Sequence, residues 1–439
     1  MKITHLQSST QLIHLDEITV LTDPWLTDGE YYGSWYHYPP FGDDNVASLE
    51  YDFVYVSHIH PDHLSEKTFK SLPHKKPVLI HNYESKFVKR KLEMLGFEVI
   101  ECDNGEPYFF ENGGSITIFA ADNCNPELCG KFMGCGVMEK QFGSTQIDSL
   151  ALFKINGNAI LNTNDCPYEL AAQTIKVNKL DQFDIDLLLV GYAGAGPYPQ
   201  CFIFDSEGEK LRAGKAKEEQ FLNQAAKYIR LINPTRFAPF AGTYILGSHL
   251  TNLNDYRGVP LVSYATEYLN NAVMGSSEGV HLEQFDTYDC QTRELTKNLK
   301  ECNLTIEKYL KEISMKALDY DNDSWDDESL EELIDLAYKR FYSKAKEIKF
   351  KSNTKLVIRT NKISFQFGTD SEVEKILGTT ELIEPYVQIN LDHNLLHRLL
   401  RGPRYAHWNN AEIGSHLTYL RKPNVFERGL HYCMCFLHA

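Results

Sequence analysis

Val54-Tyr55-Val56-Ser57-His58-Ile59-His60-Pro61-Asp62-His63 gathers three histidines and an aspartate at the end of an apolar run. Tyr51 to Val56 alternates and is rich in β-branched and aromatic side chains, which predicts a buried strand; Pro61 then stops any regular continuation. The polar groups therefore hang on a strand-to-loop turn. His58 and His60, two apart, can enter one coordination sphere, whereas Asp62 and His63 point towards a second metal position. An ordinary polar loop rarely concentrates so many metal-binding groups.

The remaining composition sets bounds. At 439 residues and 43% hydrophobic content the chain can build two domains with real cores. Its formal charge of -16 excludes nucleic acid and anionic membrane as general partners, since binding phosphate needs a basic surface. A small anion in a locally basic pocket remains compatible. The start, Met1-Lys2-Ile3-Thr4-His5, lacks a signal-peptide core and no apolar run reaches membrane-spanning length, so the expectation is a cytoplasmic protein. The ten cysteines then read as free thiols; neither Cys124, Cys129 and Cys135 nor Cys433 and Cys435 has zinc-knuckle spacing.

Outward from the histidine loop, strands and helices alternate. Residues 2 to 22 read as short strands running into Asp23-Pro24, where Asp23 either caps the turn or supports the metal loop. The Gly/Pro-broken aromatic segment Tyr31 to Pro40 is a packed loop or a pocket wall. Glu66 to Leu72 and Glu84 to Leu95 read as helices, and Pro77 to His81, Phe97 to Ile100 and Ser115 to Ala121 as strands. Asn156-Gly157-Asn158 marks a hairpin ending at Asn162-Thr163-Asn164-Asp165-Cys166. The strand Ile185 to Val190 leads into Gly191-Tyr192-Ala193-Gly194-Ala195-Gly196-Pro197, glycines that either bring backbone N–H groups to a ligand or simply connect. Lys215 to Leu231 reads as an amphipathic helix and Phe237 to Phe240 as a strand.

The H-x-H-x-D-H pattern resembles the signature of the metallo-β-lactamase-fold superfamily. The resemblance implies that His58 and His60 hold a first metal, Asp62 and His63 a second, and that Asp165 bridges them. Where that superfamily usually supplies a third histidine, this chain offers Asp122, a ligand or a turn cap. Where its last histidine stands, this chain has Ala241. Either His249 reaches back or the second metal is weakly held or absent. Together with Asp23-Pro24-Trp25-Leu26, Leu161 to Cys166, Gly191 to Pro199 and Pro239 to Gly242, the pattern resembles the CMP-N-acetylneuraminate hydroxylase branch over residues 1 to 250, with a weaker echo at Trp408 to Gly414. That branch uses iron, oxygen and electrons passed through a Rieske cluster. This sequence has no paired Cys-x-His and Cys-x-x-His motifs, so the expectation includes a separate electron-donor protein.

Further on, Thr287 to Leu318 has helical periodicity, and the acidic run Asp319 to Glu332 reads as a solvated linker without EF-hand spacing. Leu330 to Lys346 reads as a helix, Leu356 to Phe367 as a hairpin, Pro385 to Leu391 as a strand and His393 to Leu400 as a helix. Arg401, Arg404, His407, Trp408 and Asn409 lie in a polar, aromatic segment that either clamps an anionic substrate or pairs with acidic neighbours.

The expected architecture is an α/β fold, an αββα metallo-β-lactamase sandwich over 1–285, with a smaller α+β domain over 286–439 completing the pocket. The expected activity is an iron-dependent oxygenase hydroxylating a polar, anionic, nucleotide-sugar-like small molecule. The alternative is a zinc- or manganese-dependent hydrolase of a phosphoester, lactone or amide. Asp62 and Asp165 are the expected catalytic acids. One or two transition-metal ions are held by His58, His60, Asp62, His63, Asp122 and Asp165, with Asp23 and His249 in support. Tyr192, Gly194, Gly196 and the segment from Arg401 to Asn409 are expected to meet substrate.

Overall fold

The computed structural model describes residues 1–83, 86–121, 148–275, 277–299, 302, 304–326 and 328–439. Two sheets face each other through the first two-thirds of the chain. In spatial order the first holds Leu295–Thr296, Thr287–Asp289, Lys2–Gln7, Thr10–Leu15, Ile18–Thr22, Phe53–Tyr55, Val78–His81 and Val99–Cys102. The second holds Glu278–Gly279, Arg236–Phe240, Leu187–Gly191, Asn158–Asn162, Ser149–Ile155, Ser115–Ala120 and Pro107–Phe109.

Alternation along each strand decides what it faces. Tyr55, Leu79, Leu187 and Leu189 point between the sheets and meet Ile3, Ile116, Phe153 and Ala238. Their neighbours point outwards. Val54 and Val78 pack under the helices Glu66–Ser71 and Phe87–Met94, and Leu188 and Val190 under Tyr168–Val177, Glu207–Ile232 and Val262–Val273. Helices outside both sheets make the layers αββα, the fold expected from the sequence.

The long helix begins at Glu207 rather than Lys215, because Ser206 Oγ accepts from Glu209 N at 3.2 Å and caps it earlier. It runs through Gly214, whose bare face admits the turn at Tyr256–Gly258. Gly258 itself sits at φ +64, and a methyl there would overlap the Gly214 carbonyl.

The boundary expected at 285 is corrected. Thr287–Asp289 pairs antiparallel with Lys2–Gln7, in register Lys2↔Asp289 and Thr4↔Thr287, and Leu295–Thr296 adds beyond it. Covering the edge of Lys2–Gln7 outweighs the helical periodicity read over Thr287 to Leu318. Among the described residues of that stretch only Ile306–Ile313 is α-helical, capped by Thr305. The sandwich body therefore extends past Thr296.

The C-terminal part carries a five-stranded sheet ordered Glu374–Lys375, Ser364–Phe367, Lys355–Arg359, Tyr386–Asn390 and Thr418–Lys422. It packs with the helices Glu328–Glu347, His393–Leu400, Trp408–Ile413 and Arg428–Met434. Its core is continuous with Trp25, Tyr31, Trp35 and Tyr244 of the sandwich body. The Trp35 and Tyr244 rings stack at 3.6 Å and 4°, an arrangement that adds about 1 kcal/mol beyond area burial. Thus the aromatic segment after Asp28 is a wall shared by both parts. His416 locks the seam: Tyr320 OH donates to its Nδ1 at 2.9 Å, which leaves Nε2–H to donate to the Tyr31 carbonyl at 2.7 Å.

Gly258→Ala should lower the apparent thermal midpoint by several degrees, a loss of about 2 kcal/mol, because the methyl meets backbone at a positive φ. Gly214→Ala, whose methyl would stand 3.3 Å from the Tyr256 carbonyl, should cost much less in the same thermal scan. Burial lowers the His416 pKa to about 4 from 6.5. The unfolded chain therefore binds a proton there first, and this contact's contribution, complete above pH 6.5, is lost as the pH falls towards 4. Stability measured over that window should have a shallower pH slope in His416→Gln.

Candidate metal centre

The histidine loop begins where the strand Phe53–Tyr55 runs out of partners. Val56 N still bonds to Leu79 O at 3.1 Å; the chain then turns, with His63 N and Leu64 N both bonded to His60 O. The turn hands over to the helix Glu66–Ser71, capped by Ser65 Oγ accepting from Thr68 N.

Asp23, fully buried at the end of Ile18–Thr22, pins the loop from behind. Its carboxylate accepts from Ser57 N at 2.7 Å, Ser57 Oγ at 2.8 Å and His63 Nδ1 at 3.0 Å. These bonds settle two proton positions. Ser57 has one hydroxyl proton and gives it to Asp23, so towards His58 Nδ1 at 2.9 Å it accepts. His58 Nδ1 then carries the hydrogen and Nε2 a lone pair. His63 donates through Nδ1, so its Nε2 is also free to ligate; among the described residues this buried atom has no hydrogen-bond partner.

On the far side Asn409, from the C-terminal part, lies with Oδ1 3.4 Å from His60 Nε2. As an amide oxygen only accepts, His60 Nε2 is protonated and Nδ1 bears the lone pair. That Nδ1 faces His58 Nε2 at 2.9 Å. Two lone pairs at this separation repel unless a cation lies between them. Two nitrogens each about 2.1 Å from a metal and 90° apart would be about 3.0 Å from one another, so the spacing fits a shared ion. Around His63 Nε2 the oxygens Asp165 Oδ2 at 3.4 Å and Asp62 Oδ2 at 3.6 Å match ligand atoms about 110° apart. The ligand atoms of His58, His63 and Asp165 all fall within 4.8 Å.

Electrostatics favour the ligating form at His58 and His60. Burial, with His63 and His60 nearby, holds the His58 imidazole well below its usual range. Burial likewise lowers His60, against the pull of Asp62 and Asp165. Both are neutral near pH 7, the state that ligates. At His63 burial alone would lower the pKa, but the Asp165, Asp23 and Asp62 carboxylates raise it well above the ordinary value. Tyr31 OH donates to Asp62 Oδ1 at 2.5 Å, leaving Oδ2 to face His63.

The other expected residues divide. Asp122 lies outside the described residues. A carboxylate that sequence reasoning missed, Asp148, is buried with Oδ1 3.5 Å from His58 Nδ1. Burial and then the charge of Asp165 push its pKa well above the usual carboxylate range. Its only sequence signal is an acid at the head of the apolar strand Ser149–Ile155. Ala241 turns at φ 56, and His249 is exposed with Nδ1 3.4 Å from Ser248 Oγ, so it does not reach back. Tyr192 is buried, its hydroxyl without a partner among the described residues, Gly194 packs on Phe221, and the Gly196 carbonyl accepts from Gln200 Nε2 and Lys217 Nζ, each at 3.0 Å. The expected guanidinium clamp does not form at the histidines. Arg401 is drawn over the Trp325 ring at 4.6 Å, Arg404 is exposed, and Arg398 pairs with Asp323 at 2.6 Å. Trp408 is core, its Nε1 donating to Leu437 O, and His407 Nδ1 caps the helix Trp408–Ile413 by accepting from Asn409 N.

Residues 2–125 match the family model described as Beta-lactamase superfamily domain. That segment is similar to a beta-lactamase superfamily domain. It contains the whole histidine loop and the Asp23 that braces it, while Asp165 and Asn409 come from beyond it. The chain is 26% identical over 250 residues to a cytidine monophosphate-N-acetylneuraminic acid hydroxylase of Danio rerio, covering 55% of this chain and 38% of that one. It is 25% identical over 260 residues to the hydroxylase of the same name from Pan troglodytes, covering 57% and 38%. The match thus spans under two-fifths of those relatives' length. Among solved structures it is similar to CmlA, a diiron beta-hydroxylase from Streptomyces venezuelae, at a TM-score of 0.39 and 14% identity, over 64% of this chain and 53% of that one. Among the described residues no helix is long and apolar enough to cross a membrane.

Mass-spectrometric metal analysis should find the bound ion lost from the His58→Ala, His60→Ala double variant. Asn409→Ala should retain the ligands but weaken metal affinity by about tenfold or more, since it frees the His60 ring.

Proposed function

We propose that this chain is an iron-dependent oxygenase that hydroxylates a polar, anionic small molecule of the nucleotide-sugar kind, drawing electrons from a separate donor protein. The observation that carries the reading is the mixed donor set: His58 Nε2 with His60 Nδ1, and His63 Nε2 with the carboxylates of Asp62 and Asp165. Asp148 adds a further buried acid, and no histidine stands at Ala241. Such an oxygen-rich set suits iron with open positions better than an all-histidine zinc site. The hydroxylase relatives support the same chemistry.

Iron bound there would activate dioxygen. The chain's own residues orient and bias the site. Asp23 and Ser57 hold His63 and His58 in the ligating tautomers. Tyr31 keeps one Asp62 oxygen occupied so that the other faces the centre. Asp165, about a third exposed, is the acid nearest the solvent side and the one placed to meet substrate or exchange a proton. Burial would raise its pKa, but His63 holds it below the usual range, so it is ionised at neutral pH.

Protein purified without added metal should contain iron and consume oxygen with a reductant and a nucleotide sugar such as cytidine monophosphate-N-acetylneuraminic acid. Asp165→Asn should cut that rate by about a hundredfold or more. Tight zinc, no iron, and hydrolysis without oxygen uptake would reject the reading in favour of a zinc hydrolase.

A further inference from the structure

A cavity of about 480 Å³ opens in the C-terminal part and shares no lining residue with the histidine cluster. That size falls within the usual range for small-molecule sites. Its walls are mostly apolar: Leu356 and Val387 on the sheet, Leu430 and Met434 on the helix Arg428–Met434, and Phe202 and Tyr419 stacked at 4.9 Å. Apolar side chains that a folded chain would ordinarily cover, Val425 and Phe426, remain more than half exposed at its mouth.

The polar groups in this cavity are unevenly satisfied. Glu412 is buried, and both its oxygens are occupied: Tyr419 OH donates to Oε1 and His431 Nε2 to Oε2 at 2.7 Å. Burial would lower the His431 pKa, but the facing Glu412 raises it above the ordinary value, so this pair is a closed ion pair. Glu427 accepts from Thr354 Oγ1. Glu412 is thus closed to Arg421, and among the described residues no ion pair joins Glu427 to it. The Arg421 guanidinium instead lies over Phe202 at 4.6 Å and near Phe426 at 5.7 Å. Among the described residues its buried Nε has no hydrogen-bond partner and no carboxylate pairs with the guanidinium. Aromatic faces hold a guanidinium flat while leaving its N–H edge free, the geometry that receives a planar carboxylate through two parallel bonds.

We propose that this cavity is a binding site for a small organic carboxylate with a compact apolar or aromatic body, the body lying on Phe202, Val387 and Met434 and the carboxylate meeting Arg421. The apolar walls reward the body, while the unmatched charge distinguishes an acid from its neutral counterpart. The site does not depend on metal at the histidine loop.

The test is a titration of the full chain with 3-phenylpropionate, the methionine methyls labelled with carbon-13 and Met434 assigned through Met434→Leu. The Met434 methyl resonance should shift saturably, 3-phenylpropionamide should bind about tenfold or more weakly, and Arg421→Leu should bring the acid down to the amide's affinity. The comparison of acid with amide uses the unaltered chain, so it decides the matter even where Arg421→Leu fails to fold. Equal affinities for acid and amide, unchanged binding of the acid by folded Arg421→Leu, saturable binding that leaves Met434 unmoved, or no saturable binding would each overturn the proposal.

Discussion

A single buried carboxylate organises the centre. Asp23 has no access to solvent, and burial raises its pKa; the bonds from Ser57 and His63 offset part of that cost. Because one oxygen takes the Ser57 amide and the other both the Ser57 hydroxyl and His63, the start of the loop, the tautomer of His58 and that of His63 are fixed by one group. Removing it would strand donors in the interior and release two imidazoles together.

The sheets make that placement possible. Ile18–Thr22 and Phe53–Tyr55 run parallel and adjacent, in register Val20↔Phe53 to Thr22↔Tyr55. Their ends therefore emerge side by side, bringing Asp23 to Ser57 although 33 residues separate them in the chain. On the facing sheet Asn158–Asn162 delivers Asp165 and Ser149–Ile155 delivers Asp148 to the same rim. Parallel strands ending together let distant residues converge without a long loop to position them.

Much of this is legible in the sequence. Four donors in a short stretch past an apolar strand have few structural uses, and the period-two alternation of Tyr51 to Val56 places that strand between layers. Asp165 was legible because a hairpin and its following turn are local features. Asp148 was not, since its partner is 90 residues away and an acid heading a strand is commonplace. The helical period over Thr287 to Leu318 misled because a sheet edge elsewhere competed for Thr287–Asp289. The arginines misled for a related reason: charge in a segment says nothing about which ring or carboxylate it will meet, and Trp325 and Asp323 took two of them.

The hydrogen bond from His60 to Asn409 joins residues 349 apart in the chain. The ligands and the clamp that sets one ring's orientation thus belong to different structural layers of the protein. Moving the histidine body to another scaffold would transfer the donors without their rotational lock, so exchange of parts between such proteins would preserve function only when the helix bearing that asparagine travels too.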